Sequence, residues 1–235
     1  INSEIADTAV DVFVYDTRKD SDGGAWRKRT QNTSWFNETL GTATRGTRKE
    51  FPAVAVIVAE AEQLTIYDGD DPDLPMWMVF NKSDTGANKA SFISYPTIVP
   101  SSIFMQNGIL CVALSSGGWG VSHIGFISDH QKWYWTTGTY AQKANGIVNR
   151  NVSGHWYTIS IATTARILDA NTNDLAMTVL PDAPIDPSTG LPVPTIAVGT
   201  DSGLSVITDS GSVFDDATSA GIVAGVESCA FSGTK

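Results

Sequence analysis

Two short stretches of this 235-residue chain carry residue types whose spacing could support chemistry. Asp68-Gly69-Asp70-Asp71-Pro72-Asp73 sets out carboxylates at close intervals, and Asp68, Asp70 and Asp73 could gather oxygen ligands around a hard cation such as calcium. The stretch lacks the Gly at the sixth position and the Glu at the twelfth that an EF-hand loop requires. Asp and Gly are equally the residues of a tight turn, which is the favoured reading. Trp133-Tyr134-Trp135 puts two indoles on one face of a strand. On an open face they would stack a sugar ring; on a covered one they fill the core, and the core is favoured.

Other chemistries find less. His123, His130 and His155 form no metal-ligand spacing, and no nucleophile elbow, Walker loop or dinucleotide fingerprint is present. Gly117-Gly118-Trp119-Gly120 follows a strand but opens no helix, so it reads as a hairpin turn. Glycoside hydrolysis on a propeller needs a pair of carboxyl groups, and sialidase-type members also need converging arginines. The seven arginines are scattered, and Asp22-x-Gly24-x-Trp26 is one residue short of a sialidase Asp-box. Cys111 and Cys229 sit in apolar runs and read as inert. No catalytic residue is assigned, the chain is read as a non-enzyme, and calcium is the one cofactor considered.

The elements that would position these residues are strands. Thr8 to Tyr15 alternates, and Asp20-Ser21-Asp22-Gly23-Gly24 predicts a hairpin turn into Ala25-Trp26-Arg27. Pro52 to Ala59 is apolar throughout and predicts a strand buried on both faces, paired with Gln63 to Tyr67. Pro75 to Phe80, 109–114, 121–127 and 131–136 continue the series. The best helical candidate is Ala162 to Met177.

Internal repetition organises these strands. Residues 194–209 align without a gap on 54–69, residues 110–129 repeat the plan with a slip in the turn, and 228–233 resemble the opening of another copy. Pro181 to Pro194 reads as an insertion. The expected fold is all-β, a β-propeller or partial β-propeller of four-stranded antiparallel blades, with a β-sandwich as the alternative. The chain is read as one propeller-like domain over 1–235, a portion of a longer polypeptide.

Composition agrees with strands: 25 Thr and 19 Val stand against 10 Leu. The net charge of −10 argues against nucleic acid as a partner, and no apolar run is long enough to predict membrane insertion. Residues 1–50 are relatively basic, with eight Lys or Arg against eight Asp or Glu, so the whole deficit lies beyond them.

Three stretches carry a resemblance: Phe51 to Val58, Ile66 to Trp77, and Ala176 to Pro181 running through Gly190 to Pro194. Together they resemble virion-associated structural proteins of marine tailed bacteriophages, the cyanophages and their relatives. The resemblance implies a virion component in the tail or a fibre, part of an oligomeric assembly, with other virion proteins and a host-surface glycan or receptor as partners. It supplies no catalytic residues. The competing expectations are a propeller glycosidase acting on host polysaccharide and an extracellular bacterial binding scaffold.

Overall fold

The structure, a computed structural model, describes residues 7–61, 63–81, 99–115, 120–142, 146–152, 158–162, 165–216 and 225–232, with backbone alone for 138–142 and 158–162. It is all-β. The first sheet is a meander of β1 (Ala9–Asp16), β2 (Val54–Glu60), β3 (Gln63–Asp68) and β4 (Met76–Asn81). The second runs β5 (Val99–Gln106), β6 (Ile109–Ser115), β7 (Gly120–Gly125), β8 (His130–Trp135), β9 (Gly138–Gln142) and β10 (Thr158–Ala162). The third orders β11 (Thr172–Thr178), β14 (Thr195–Thr200), β15 (Gly203–Ile207) and β16 (Val213–Asp216). A hairpin of β12 (Ile185–Asp186) and β13 (Leu191–Pro192) fills the expected insertion. All ladders are antiparallel between strands next to one another in each sheet. Two sheets have the four strands of a blade and the middle one has six.

The repeat seen in sequence is a repeat of pairing. Val58 faces Thr65 in β2–β3 and Val198 faces Ser205 in β14–β15, so a shift of 140 residues carries one register onto the other. These apolar strands are the second of each sheet, covered on both faces. The first strands are more varied, and each has a register shift at the same place, skipping Val10, Ser101 and Asn173. The residue after each shift fastens its sheet to the next first strand. Asp11 Oδ2 accepts from Ile103 N at 2.7 Å, Ser102 Oγ accepts from Leu175 N at 3.3 Å, and Asp174 Oδ2 accepts from Cys229 N at 2.7 Å. Residues 225–232, which form no strand, meet the third sheet through that last bond.

Burial follows the same equivalence. Ile103 and Met105 are packed in the core between the first and second sheets, and Leu175 and Met177 in the core between the second and third. Their counterparts in β1, Val12 and Val14, are 41 % and 61 % exposed.

Two expectations fail. The segment after β1 does not return as a hairpin strand; it makes short 3-10 turns at Thr17–Lys19 and Ala25–Arg29. The reason is Asp20, whose carboxylate is buried and accepts from the Tyr15 hydroxyl, from Trp26 Nε1 at 2.7 Å and from Asn107 N at 2.8 Å. These bonds draw the loop inward, and β1 pairs with β2 instead. The best helical candidate, Ala162 to Met177, is not a helix in its described part: 165–171 is irregular and Thr172–Thr178 is β11, held to β14. Residues 163 and 164, the Gly117-Gly118-Trp119 turn and His155 lie outside the described residues.

The outer strand β4 is also buried rather than half wet, because the chain between β1 and β2 wraps it. Gly46 N donates to Trp77 O and Val79 N to Thr44 O along its outer edge. Trp26, Trp35, Phe51, Trp77 and Phe126 then interlock, with the Phe51 ring 4.8 Å from Trp77 and 5.0 Å from Phe126 in edge-to-face contacts. Each of the three indoles finds an acceptor; Trp35 Nε1 reaches Phe126 O and Trp77 Nε1 reaches Glu50 O.

Equivalent residues in unequal surroundings give unequal losses. Met105→Ala is expected to cost about 2–4 kcal/mol in urea denaturation, and Val14→Ala under about 0.5 kcal/mol. Equal losses would contradict the repeat assignment.

Candidate functional site

The acidic turn is built around a guanidinium. Arg48 Nη1 donates to both oxygens of Asp68, each at 2.8 Å, and to Asp70 Oδ2 at 2.7 Å. Asp70 also accepts from the amides of Ala53 and Val54. Burial works against its charge, but those amides and Arg48 outweigh it and hold the carboxyl below the ordinary carboxylate value. Of the three carboxylates considered for calcium, Asp68 and Asp70 converge on Arg48, and Asp73 is not among the groups that meet there. The turn is a clasp between β3 and the start of β2.

The aromatic trio is divided by the pleat. Trp133 is 4 % exposed and lies in the core between the first two sheets, while Tyr134 is 6 % exposed and lies between the second and third. Trp133 offers no open face to a sugar, Tyr134 borders a cleft on its side of the strand, and Trp135 is half-buried. Of the two indoles that share a face, Trp133 therefore serves core packing.

The same alternation reveals what sequence reasoning passed over. His130 and Lys132 share the other face of β8 with Tyr134, and His123 of β7 pairs directly with Lys132. This face, the hairpin β12–β13 and the end of β15 enclose a cleft of ≈ 190 Å³. Its polar lining includes His123, His130, Lys132, Asp186, Asp209 and Ser210. Ile109, Ile127, Met177, Ile196 and Ile207 supply apolar wall.

Electrostatics in the cleft keep the imidazoles neutral. Burial pushes His123 down to about 3, with Lys132 and His130 acting in the same direction. Burial also lowers His130, whose Nδ1 lies 3.3 Å from the Ser128 carbonyl and is assigned as donor to it, leaving Nε2 as acceptor. Burial opposes the charge of Asp186, but Ser188, through Oγ at 2.7 Å and N at 2.8 Å, together with Lys132, holds that carboxyl below its ordinary value. Burial raises the Tyr134 hydroxyl and the nearby Cys111 thiol, so both stay protonated.

Two arginines do converge, though not on this cleft. Arg150 grips Glu38 with two bonds of 2.7 and 2.9 Å, and Arg45 approaches the same carboxylate at 3.9 Å. Both guanidiniums are buried, and burial pushes Arg45 down to about 10. Arg45 lies 4.4 Å over the Trp77 ring. This triad clamps the wrapping segment onto β4.

Among known protein families none matches the chain, and comparison with functionally characterised proteins finds no similar sequence.

The depressed His123 makes stability depend on pH. An unfolded chain takes up a proton below its ordinary pKa near 6.5, which the folded imidazole refuses until about pH 3, so stability falls as pH drops through that interval. Between pH 6.5 and about 5, above the range where ordinary carboxylates titrate, His123→Gln is expected to flatten the decline in urea midpoint. An unchanged slope would contradict the assignment.

Proposed function

We propose that the protein is a non-enzymatic structural module of a tailed-bacteriophage particle, in the tail or a fibre, that assembles with other virion proteins and contributes to host-surface attachment. The observation that carries the assembly part is the open margin of β1. Val12 and Val14 are 41 % and 61 % exposed, and Val10 before them 47 %, whereas the side chains that correspond to Val12 and Val14 in the two following sheets, Ile103, Met105, Leu175 and Met177, are buried against a preceding sheet. A contiguous apolar margin of this kind is what an assembling surface presents. The naming of a phage rests on the resemblance of the segments around Phe51, Ile66 and Ala176, and location in the virion follows from it.

The use of the acidic side chains supports a structural role. Asp20, Glu38, Asp68, Asp70 and Asp129 each accept bonds that tie one segment to another; Asp129, for example, takes Ser34 N at 2.6 Å and Ile147 N at 2.9 Å. Carboxylates so engaged are poorly placed to exchange protons with a substrate. The glycosidase remains the second reading, because Asp186 and Asp209 line one cleft. Release of reducing ends from host polysaccharide, abolished by Asp186→Asn, would establish it in place of the first.

Mass spectrometry of purified particles is expected to detect the polypeptide, and Val14→Asp to reduce its incorporation while leaving the melting temperature of the isolated chain unchanged. Detection only in lysate, or full incorporation of the variant, would overturn the proposal.

A further inference from the structure

The cleft beside β8 brings together polar groups from β7, β8, the β12–β13 hairpin and the end of β15. Lys132 offers only donors, Asp186 and Asp209 only acceptors, and a neutral imidazole one of each; the Ser210 hydroxyl gives and accepts. Apolar side chains close the remaining sides. Its ≈ 190 Å³ lies below the range of drug-sized pockets and suits a single small ring.

Charge narrows the ligand class. Two carboxylates against one ammonium disfavour an anion, and two imidazoles held neutral add no positive charge. For a metal ion the arrangement is wrong, since among the described residues no three His, Cys, Asp or Glu side chains are grouped to hold one. A neutral polyhydroxyl ring answers the lining best. Every hydroxyl both donates and accepts, so it can satisfy an ammonium, an imidazole and a carboxylate at once, while the C–H faces of the ring cover apolar wall.

We infer that this cleft binds one neutral sugar ring, held by Lys132, Asp186, Asp209 and the imidazoles of His123 and His130. The inference deepens the attachment part of the proposed function by giving it a location, but it stands on the cleft alone. Binding by the isolated chain does not depend on whether the protein enters a particle.

Saturation-transfer NMR on the isolated chain would use four probes: the methyl pyranosides of glucose, galactose and mannose, and of N-acetylglucosamine. At least one is expected to bind with a dissociation constant in the millimolar range, and inorganic phosphate is expected not to displace it. Lys132→Met should weaken binding by about tenfold or more, equivalent to about 1.4 kcal/mol. Thr189→Trp, which puts an indole at a half-buried position of the cleft lining, should abolish binding with the fold intact by circular dichroism. Trp135→Ala, outside the lining, should bind as the parent does. Absence of binding by all four sugars, displacement by phosphate, or undiminished binding by Thr189→Trp would each overturn the inference. Sugar binding without particle incorporation would reject assembly in a virion and leave the cleft assignment standing.

Discussion

The second strand of each sheet is apolar on both sides, and both sides must be kept from water. Val56 to Ala59, Leu110 to Leu114 and Ile196 to Val198 cannot lie at a wet surface without exposing a continuous hydrocarbon face. One sheet covers one side only, so the sheets have to stack, and they do so as a repeated unit. The shift in each first strand then matters. It turns a polar side chain, Asp11 or Ser102, toward the amide of the next first strand, giving successive sheets the same relation, and Asp174 reaches the amide of Cys229 in the same way. The first sheet has the same apolar side but leaves the β1 margin of it open, and the assembly proposal begins from that inequality.

Long connections are tolerated because buried polar groups anchor them. Asp20 joins β1, the loop that follows it and the β5–β6 turn. Asn107 extends the join, since its side chain donates to Ser21 Oγ and to the Pro192 carbonyl of β13. That turn is Asn107-Gly108 with φ of 50° and 72°, the left-handed pair that a two-residue hairpin favours. Burial raises the Asp20 carboxyl above its ordinary value, and the bonds from Tyr15, Asn107 and Trp26 act against that rise. An unmatched buried carboxylate would cost several kcal/mol, so these partners have to be present together. The cleft lies next to this join, bounded by Asn107, Gly108 and Pro192. Its shape therefore depends on contacts made far from its polar lining.

Much of the strand layout was legible because period-two alternation and unbroken apolar runs are local properties. Gln63 to Tyr67 as the partner of β2, the insertion after Pro181 and the 140-residue repeat all followed from such patterns, and the pairing registers agree with them. The hairpin expected at Asp20 to Gly24 failed because turn-forming residues announce a reversal without saying what their side chains will meet. The site was less legible. Trp133, Tyr134 and Trp135 drew attention as aromatics, whereas His130 and Lys132, which share the parity of Tyr134 on the same strand, line the cleft with it unnoticed. The alternation was visible; which parity would be left accessible was not.

Sequence alone therefore determined the class of structure, the apolar second strands and their repetition, since each depends on residues within a few positions of one another. Tertiary structure decided the rest. Asp68 and Asp70 close on Arg48, twenty or more positions away in the chain. Glu38 meets Arg150, and His123 and Lys132 come to face Asp186 and Asp209. Charges and imidazoles take their roles from whatever group is brought within a few ångströms, and in a stacked β-fold that group comes from another sheet or a distant loop.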